Sequence, residues 1–186
     1  MFRVISVAVL FIWAGVSSAQ DPYQATVNTF KNSAQVQDFF QSAHGYAVFP
    51  TIGKGAIGIG GAHGKGRVYE SNRHVGNTSM TQLSIGMQLG GQAFSEIIFF
   101  ATKADLQRFQ TGKFEFGAQA SAVAITASAS AKVGTTGMAA GASGTSDDAG
   151  VQRAKYNNGV AVFTHAKGGL MYEAALSGQK FKYESL

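Results

Sequence analysis

The side chains of this chain that could do chemistry are four histidines, scattered carboxylates, many serines and a run of glycines. None stands in a spacing that a reaction requires. His44, His63, His74 and His165 contain no pair four residues apart, and no His-Glu-x-x-His or similar ligand set occurs. Read structurally, His44 caps the first helix, His63 and His74 sit in polar turns, and His165 leads into a hairpin. No Gly-x-Ser-x-Gly elbow is present and cysteine is absent, so no nucleophile is prepared. Asp147 and Asp148 are the one adjacent acidic pair, in a stretch that reads as a loop. A P-loop ending at Gly64-Lys65 meets Gly66 next and Ile59 where its first glycine belongs. A dinucleotide fingerprint begun at Gly58 finds His63 in its third place. These readings predict no catalytic residue, no metal and no cofactor.

Basic residues are better placed for binding. Lys54, Lys65 and Arg67 flank the glycine-rich stretch, and Lys167 falls in a late hairpin. Gathered at one end of a sheet, they make a head-group site to which glycine N–H groups add donors; as solvated hairpin ends they bind nothing. Phe30, Phe39 and Phe40 lie on the apolar side of the first helical segment. They are either core or a membrane contact, and Lys31 is the single cation beside them, fewer than interfacial helices carry. The chain has 15 Lys and Arg against 10 Asp and Glu, a formal charge of +5. No block of five basic residues occurs, so no nucleic-acid partner is expected.

The elements that must position these residues begin after a leader. Arg3, the apolar run 4–16 and Ser17-Ser18-Ala19 have the layout of a secretory signal peptide. That run is shorter than the roughly 20 residues a bilayer needs. The expected organisation is a signal peptide over 1–19, a single domain over 20–186, and export to the periplasm or cell envelope, with secretion also open. Without cysteine the domain rests on its core alone.

Helical spacing predicts a first helix over 24–43, opened after Pro22 and stopped near Gly45. A strand over 46–49 is closed by Pro50, which suits a strand end or an edge. Seven of the fourteen residues 53–66 are glycine, giving a strand with one bare face that a backbone or flat ligand could approach. A polar turn over 72–77 leads to an alternating strand over 82–90. The run 97–100 is apolar on both faces and reads as central. Thr102 is placed to cap a helix over 103–110 with Leu106 and Phe109 inward and Gly112 as its stop. The Ala/Ser run 118–131 alternates as a strand with a parity slip near Ile125-Thr126, a helix over the same residues being the competing reading, and a loop over 134–150 follows. Strands over 160–165 and 170–176 are joined at Lys167-Gly168-Gly169, and 180–183 pairs at an edge. Hairpin-like spacing without a βαβ rhythm predicts an α+β, mainly antiparallel β fold: a curled sheet or small closed barrel with an N-terminal helix and one short internal helix.

The run His44-Gly45-Tyr46-Ala47-Val48-Phe49-Pro50, with Gly53-Lys54-Gly55, Ile59-Gly60-Gly61 and Gly64-Lys65-Gly66, resembles the opening signature of SYLF-domain proteins. Ile85-Gly86-Met87-Gln88-Leu89-Gly90-Gly91-Gln92 is similar to their second glycine motif, and Lys167-Gly168-Gly169-Leu170 with Ala175-Leu176-Ser177-Gly178 to their closing one. The resemblance covers nearly all of 20–186 in order and implies a lipid-binding domain of the exported bacterial kind. Two departures stand out: 118–131 lacks a Gly-Pro element, and Phe163-Thr164-His165 stands where a Tyr-Ser pair is usual. The actin and phosphoinositide partners of eukaryotic members are not carried over; an anionic phospholipid membrane is the expected partner. Two other readings stand beside it, a structural or adhesive envelope protein acting through sheet edges or other protein contacts, and a small outer-membrane barrel.

Overall fold

The computed structural model describes residues 20–57, 59–84, 92–116, 123–125, 155–167, 176 and 178–186. The expected leader, the loop over 134–150 and most of the strands expected over 82–90 and 170–176 and of the run 118–131 with its slip near Ile125-Thr126 lie outside them. In chain order the elements are α1 (Pro22–Lys31), α2 (Ala34–Ser42), β1 (Gly45–Ile57), β2 (Ile59–Glu70), β3 (Arg73–Ser84), β4 (Gln92–Phe100), α3 (Lys103–Gln110), β5 (Val123–Ile125), β6 (Val160–Lys167) and β7 (Gln179–Ser185).

The single helix expected over 24–43 is two. Ser33 is extended (φ −91°, ψ 121°) and breaks the run after the Asn32 cap, which lets both short helices press apolar stripes on the sheet. Asp21 caps α1 by accepting the Tyr23 N–H, with Pro22 in the first turn, where it costs no hydrogen bond. Gly45 does not stop a helix. It opens β1, where an added Cβ would lie 2.6 Å from the Tyr69 carbonyl oxygen. α3 follows expectation: Thr102 and Asp105 form a reciprocal capping box, Leu106 and Phe109 are buried, and Gly112 turns out at φ +70°.

The strands form one sheet in the order β5-β6-β4-β1-β2-β3-β7, antiparallel throughout except for the β5–β6 pair. That parallel pair departs from the expectation of hairpins alone. β4 is central, as its two-sided apolar run requires. β1 is central too, although it contains Pro50. The ladder shifts register between Val48 and Thr51 against β2, and between Phe49 and Ile52 against β4. Proline is tolerated there because a bulge spares its missing N–H. The β2–β3 turn is tighter than the polar stretch 72–77: Ser71 and Asn72, both at positive φ, make a two-residue hairpin, and His74 already lies in β3.

The described strands do not close into a barrel, since the order has two ends, β5 and β7. They do curl. The Phe109 ring lies 4.9 Å from Phe100 of β4 and 5.2 Å from Phe181 of β7. Four strand steps separate β4 from β7, roughly 19 Å in a flat sheet, so the sheet wraps around α3. Its inner face packs Phe49, Ile52, Met80, Phe94, Ile98 and Phe181 with α3. Its outer face packs Tyr46, Val48, Ile97, Phe99 and Phe163 against Val27, Phe30, Val36 and Phe39 of the first two helices. The bare glycine face is filled by the protein itself. An added Cβ on Gly66 would sit 2.7 Å from the Phe49 ring, so the flat group that approaches β2 is a core phenylalanine.

Candidate functional site: the uncovered outer face of the sheet

Among the described residues, α1 and α2 cover the outer face of β6, β4 and β1 at one end, and the positions at the other end that face outward are exposed. In an antiparallel ladder directly opposed residues share a face. On β2 the even positions Ala62 and Val68 join the inner core, so His63, Lys65 and Arg67 point outward. Lys65 is opposed by Thr51 of β1 on one side and Ser79 of β3 on the other, and Ser79 is opposed by Lys182 of β7. Lys167, at the end of β6, donates from Nζ to Thr51 Oγ1 at 2.8 Å. Hydroxyl and lysine thus alternate in register as Thr51, Lys65, Ser79 and Lys182, and the Lys167 side chain reaches Thr51 from two strands away. A second row, two residues along, runs through Gly53, His63, Thr81 and Lys180. Thr51, His63, Lys65, Thr81, Lys167, Lys180 and Lys182 are exposed, and Ser79 is half-buried.

Carboxylates approach this face at its margin. Glu115 lies 3.6 Å from Lys180, both exposed, a pair worth little in water. Glu184 is opposed by Asn77, one row further on. Among the described residues the face therefore carries an excess of positive charge.

The expected head-group residues divide. Lys65 and Lys167 meet at Thr51. Arg67 faces the same way but is occupied: it donates to Asp21 Oδ2 at 2.6 Å and lies 4.0 Å over the Tyr23 ring, fastening the start of α1 to the sheet. Asp21 is held below the usual carboxylate range, first by the Tyr23 N–H and then by Arg67. The stability this gives is present above the ordinary aspartate pKa and lost as pH falls through the lowered value. Lys54 pairs through its backbone with Ala62 and Gln92, and its side chain lies outside the described residues. Lys180 and Lys182 were missed, although the alternation Lys180-Phe181-Lys182-Tyr183 is a legible strand with one cationic face.

The expected membrane contacts are not available to a membrane. Phe30 is 0% and Phe39 8% exposed, and Phe40 is partly buried with its ring 4.8 Å from that of Phe99. They are core because two short helices need their apolar stripes to hold the sheet. Most of the histidines also sit elsewhere than expected. His44 follows the Ala43 cap of α2 and pairs with Glu70 at 2.7 Å, and His63 lies within β2 rather than in a turn, while His165 lies in β6, in the strand expected to hold it. Among the described residues no three His, Cys, Asp or Glu group as metal ligands.

A second cluster escaped the sequence reading altogether. Glu96, one of the scattered carboxylates, is fully buried on the inner face, on the parity of Phe94 and Ile98. Gln179 Nε2 donates to its Oε2 at 3.2 Å, tying β4 to β7 across the curl. Thr164 opposes Glu96 and Gln82 opposes Gln179, and both are buried. Replacing Gln179 with alanine takes a buried donor from this carboxyl and is expected to cost about 1–3 kcal/mol. Urea unfolding at unchanged m value measures the loss; a change below about 0.5 kcal/mol would mean that the tie does not hold the curl.

No family model matches the chain. It is 27% identical over 160 residues to Beta cell expansion factor A from Aeromonas veronii, an alignment that takes in 84% of this chain and 52% of that protein. The chain thus spans about half the length of the curated relative it matches.

Proposed function

We propose that the chain is a non-catalytic, exported lipid-binding domain that associates with anionic phospholipid membranes through the uncovered outer face of its sheet. The observation that carries this reading is the convergence of Lys65, Lys167 and Lys182 on one exposed surface floored by Thr51 and Ser79. Each lysine near an anionic surface contributes about 1 kcal/mol. The groups on this face that serve the reading are cations and hydroxyls, so the attraction proposed is electrostatic. The motifs that resemble SYLF domains support the same reading, as does the secretory leader, which delivers the domain to the periplasm or envelope.

Sheet-edge pairing as a structural role is less well served. The outer edge of β7 is taken by the segment around Glu115: Phe116 donates to the Gln179 carbonyl and Phe181 to that of Phe114. The barrel reading fails on the charged outer face, where a lipid-facing wall needs apolar side chains.

Co-sedimentation with vesicles tests the proposal. Binding to phosphatidylglycerol vesicles is expected at low salt and is expected to weaken several-fold between roughly 50 and 500 mM salt, as exposed charges are screened. Neutral phosphatidylcholine vesicles should leave the protein in the supernatant. Equal, salt-independent binding to both would sink the electrostatic reading.

A further inference from the structure

The two rows of the basic face have the same construction. In the first, Ser79 is flanked directly by Lys65 and Lys182; in the second, Thr81 is flanked directly by His63 and Lys180. Each row therefore sets a hydroxyl between two nitrogen bases, with strand neighbours about 4.8 Å away on either side. A phosphate over the hydroxyl accepts its hydrogen bond and lies within reach of the side chains to left and right, in charge-assisted contacts. The two hydroxyls stand two residues apart on β3, about 6.8 Å along the strand. Thr51 extends the first row on the β1 side, and Lys167, whose register places it in the second row, reaches Thr51 with its side chain.

We infer that this face selects a head group carrying two linked phosphates, one seated at Ser79 and one at Thr81. The ligand class is a phospholipid whose two phosphodiesters are joined through a single glycerol. A surface that needed charge alone could scatter its lysines anywhere. Here the hydroxyls sit in register between the bases, in two successive outward positions of one strand. Glu115 competes for Lys180 from outside, at 3.6 Å and exposed to solvent, a weak contact that a phosphate displaces. The inference rests on the membrane-binding reading and specifies the lipid that the same face prefers.

The test compares two sets of vesicles matched in surface charge, one containing cardiolipin and the other phosphatidylglycerol, using the protein recovered after export. The expected result is about tenfold tighter binding to cardiolipin, the worth of one or two hydrogen bonds to a charged group. The double variant Ser79→Ala, Thr81→Ala changes no charge and is expected to bring cardiolipin binding down to the phosphatidylglycerol level. Ser79→Thr, Thr81→Ser keeps both hydroxyls and should restore the preference, which separates loss of contact from loss of fold. Equal binding to both lipids overturns the two-phosphate inference and leaves the anionic-surface reading standing. Binding to neither overturns both.

Discussion

The double variant Lys65→Glu, Lys182→Glu is expected to bind anionic vesicles roughly a thousandfold more weakly than the unaltered chain. Two attractive charges worth about 1 kcal/mol each are removed and two repulsive ones of similar size replace them, about 4 kcal/mol in all. Both side chains are exposed on strand positions whose neighbours are Thr51 and Ser79, so the fold has little reason to respond. Arg67→Ala supplies the contrast. Its guanidinium already serves Asp21 and Tyr23, so its removal loosens α1 more than it weakens binding. Flotation or co-sedimentation over a lipid titration reads the difference. If Arg67→Ala proved as damaging as the double reversal, the binding surface would have to be moved toward α1.

Phe109→Ala is expected to be the most destabilising single change, at about 3–5 kcal/mol. The ring is fully buried and touches those of Phe100, Phe114 and Phe181, joining β4, the segment after α3 and β7. Removing it empties the axis about which the sheet curls, and the cavity cannot collapse without uncurling the strands. Thermal unfolding should shift downward by roughly 10 °C. A loss below about 1 kcal/mol would show that α3 is a cover rather than the post around which the sheet is wound.

Both predictions depend on features that differ in how far they can be read in advance. The helix 103–110 was legible in full, because a capping box and an i, i+3 apolar pair are local signals that need no partner. The central place of β4 was legible from an apolar run on both parities. The break at Ser33 was not, since the apolar spacing continues through it and the sheet decides which turns stay helical. Pro50 read as the close of a strand because its lost N–H forbids a regular ladder; a bulge, which only the neighbouring strands can accept, carries β1 through it.

The binding face shows the same division. Lys65 and Lys167 were chosen for charge and position, and they do converge, although about a hundred residues of chain separate them. Phe30, Phe39 and Phe40 went astray because an amphipathic helix looks alike whether its stripe meets a bilayer or a sheet. By itself the sequence determined the helix 103–110, the mainly antiparallel class and the excess of cations, all consequences of local period, capping and composition. The tertiary structure alone decided the curl about Phe109, the burial of Glu96 beside Gln179, and the alignment of Lys65, Ser79 and Lys182 in one row. Those are matters of register between distant strands, and a one-residue shift at a bulge is enough to carry a side chain to the other face of the sheet.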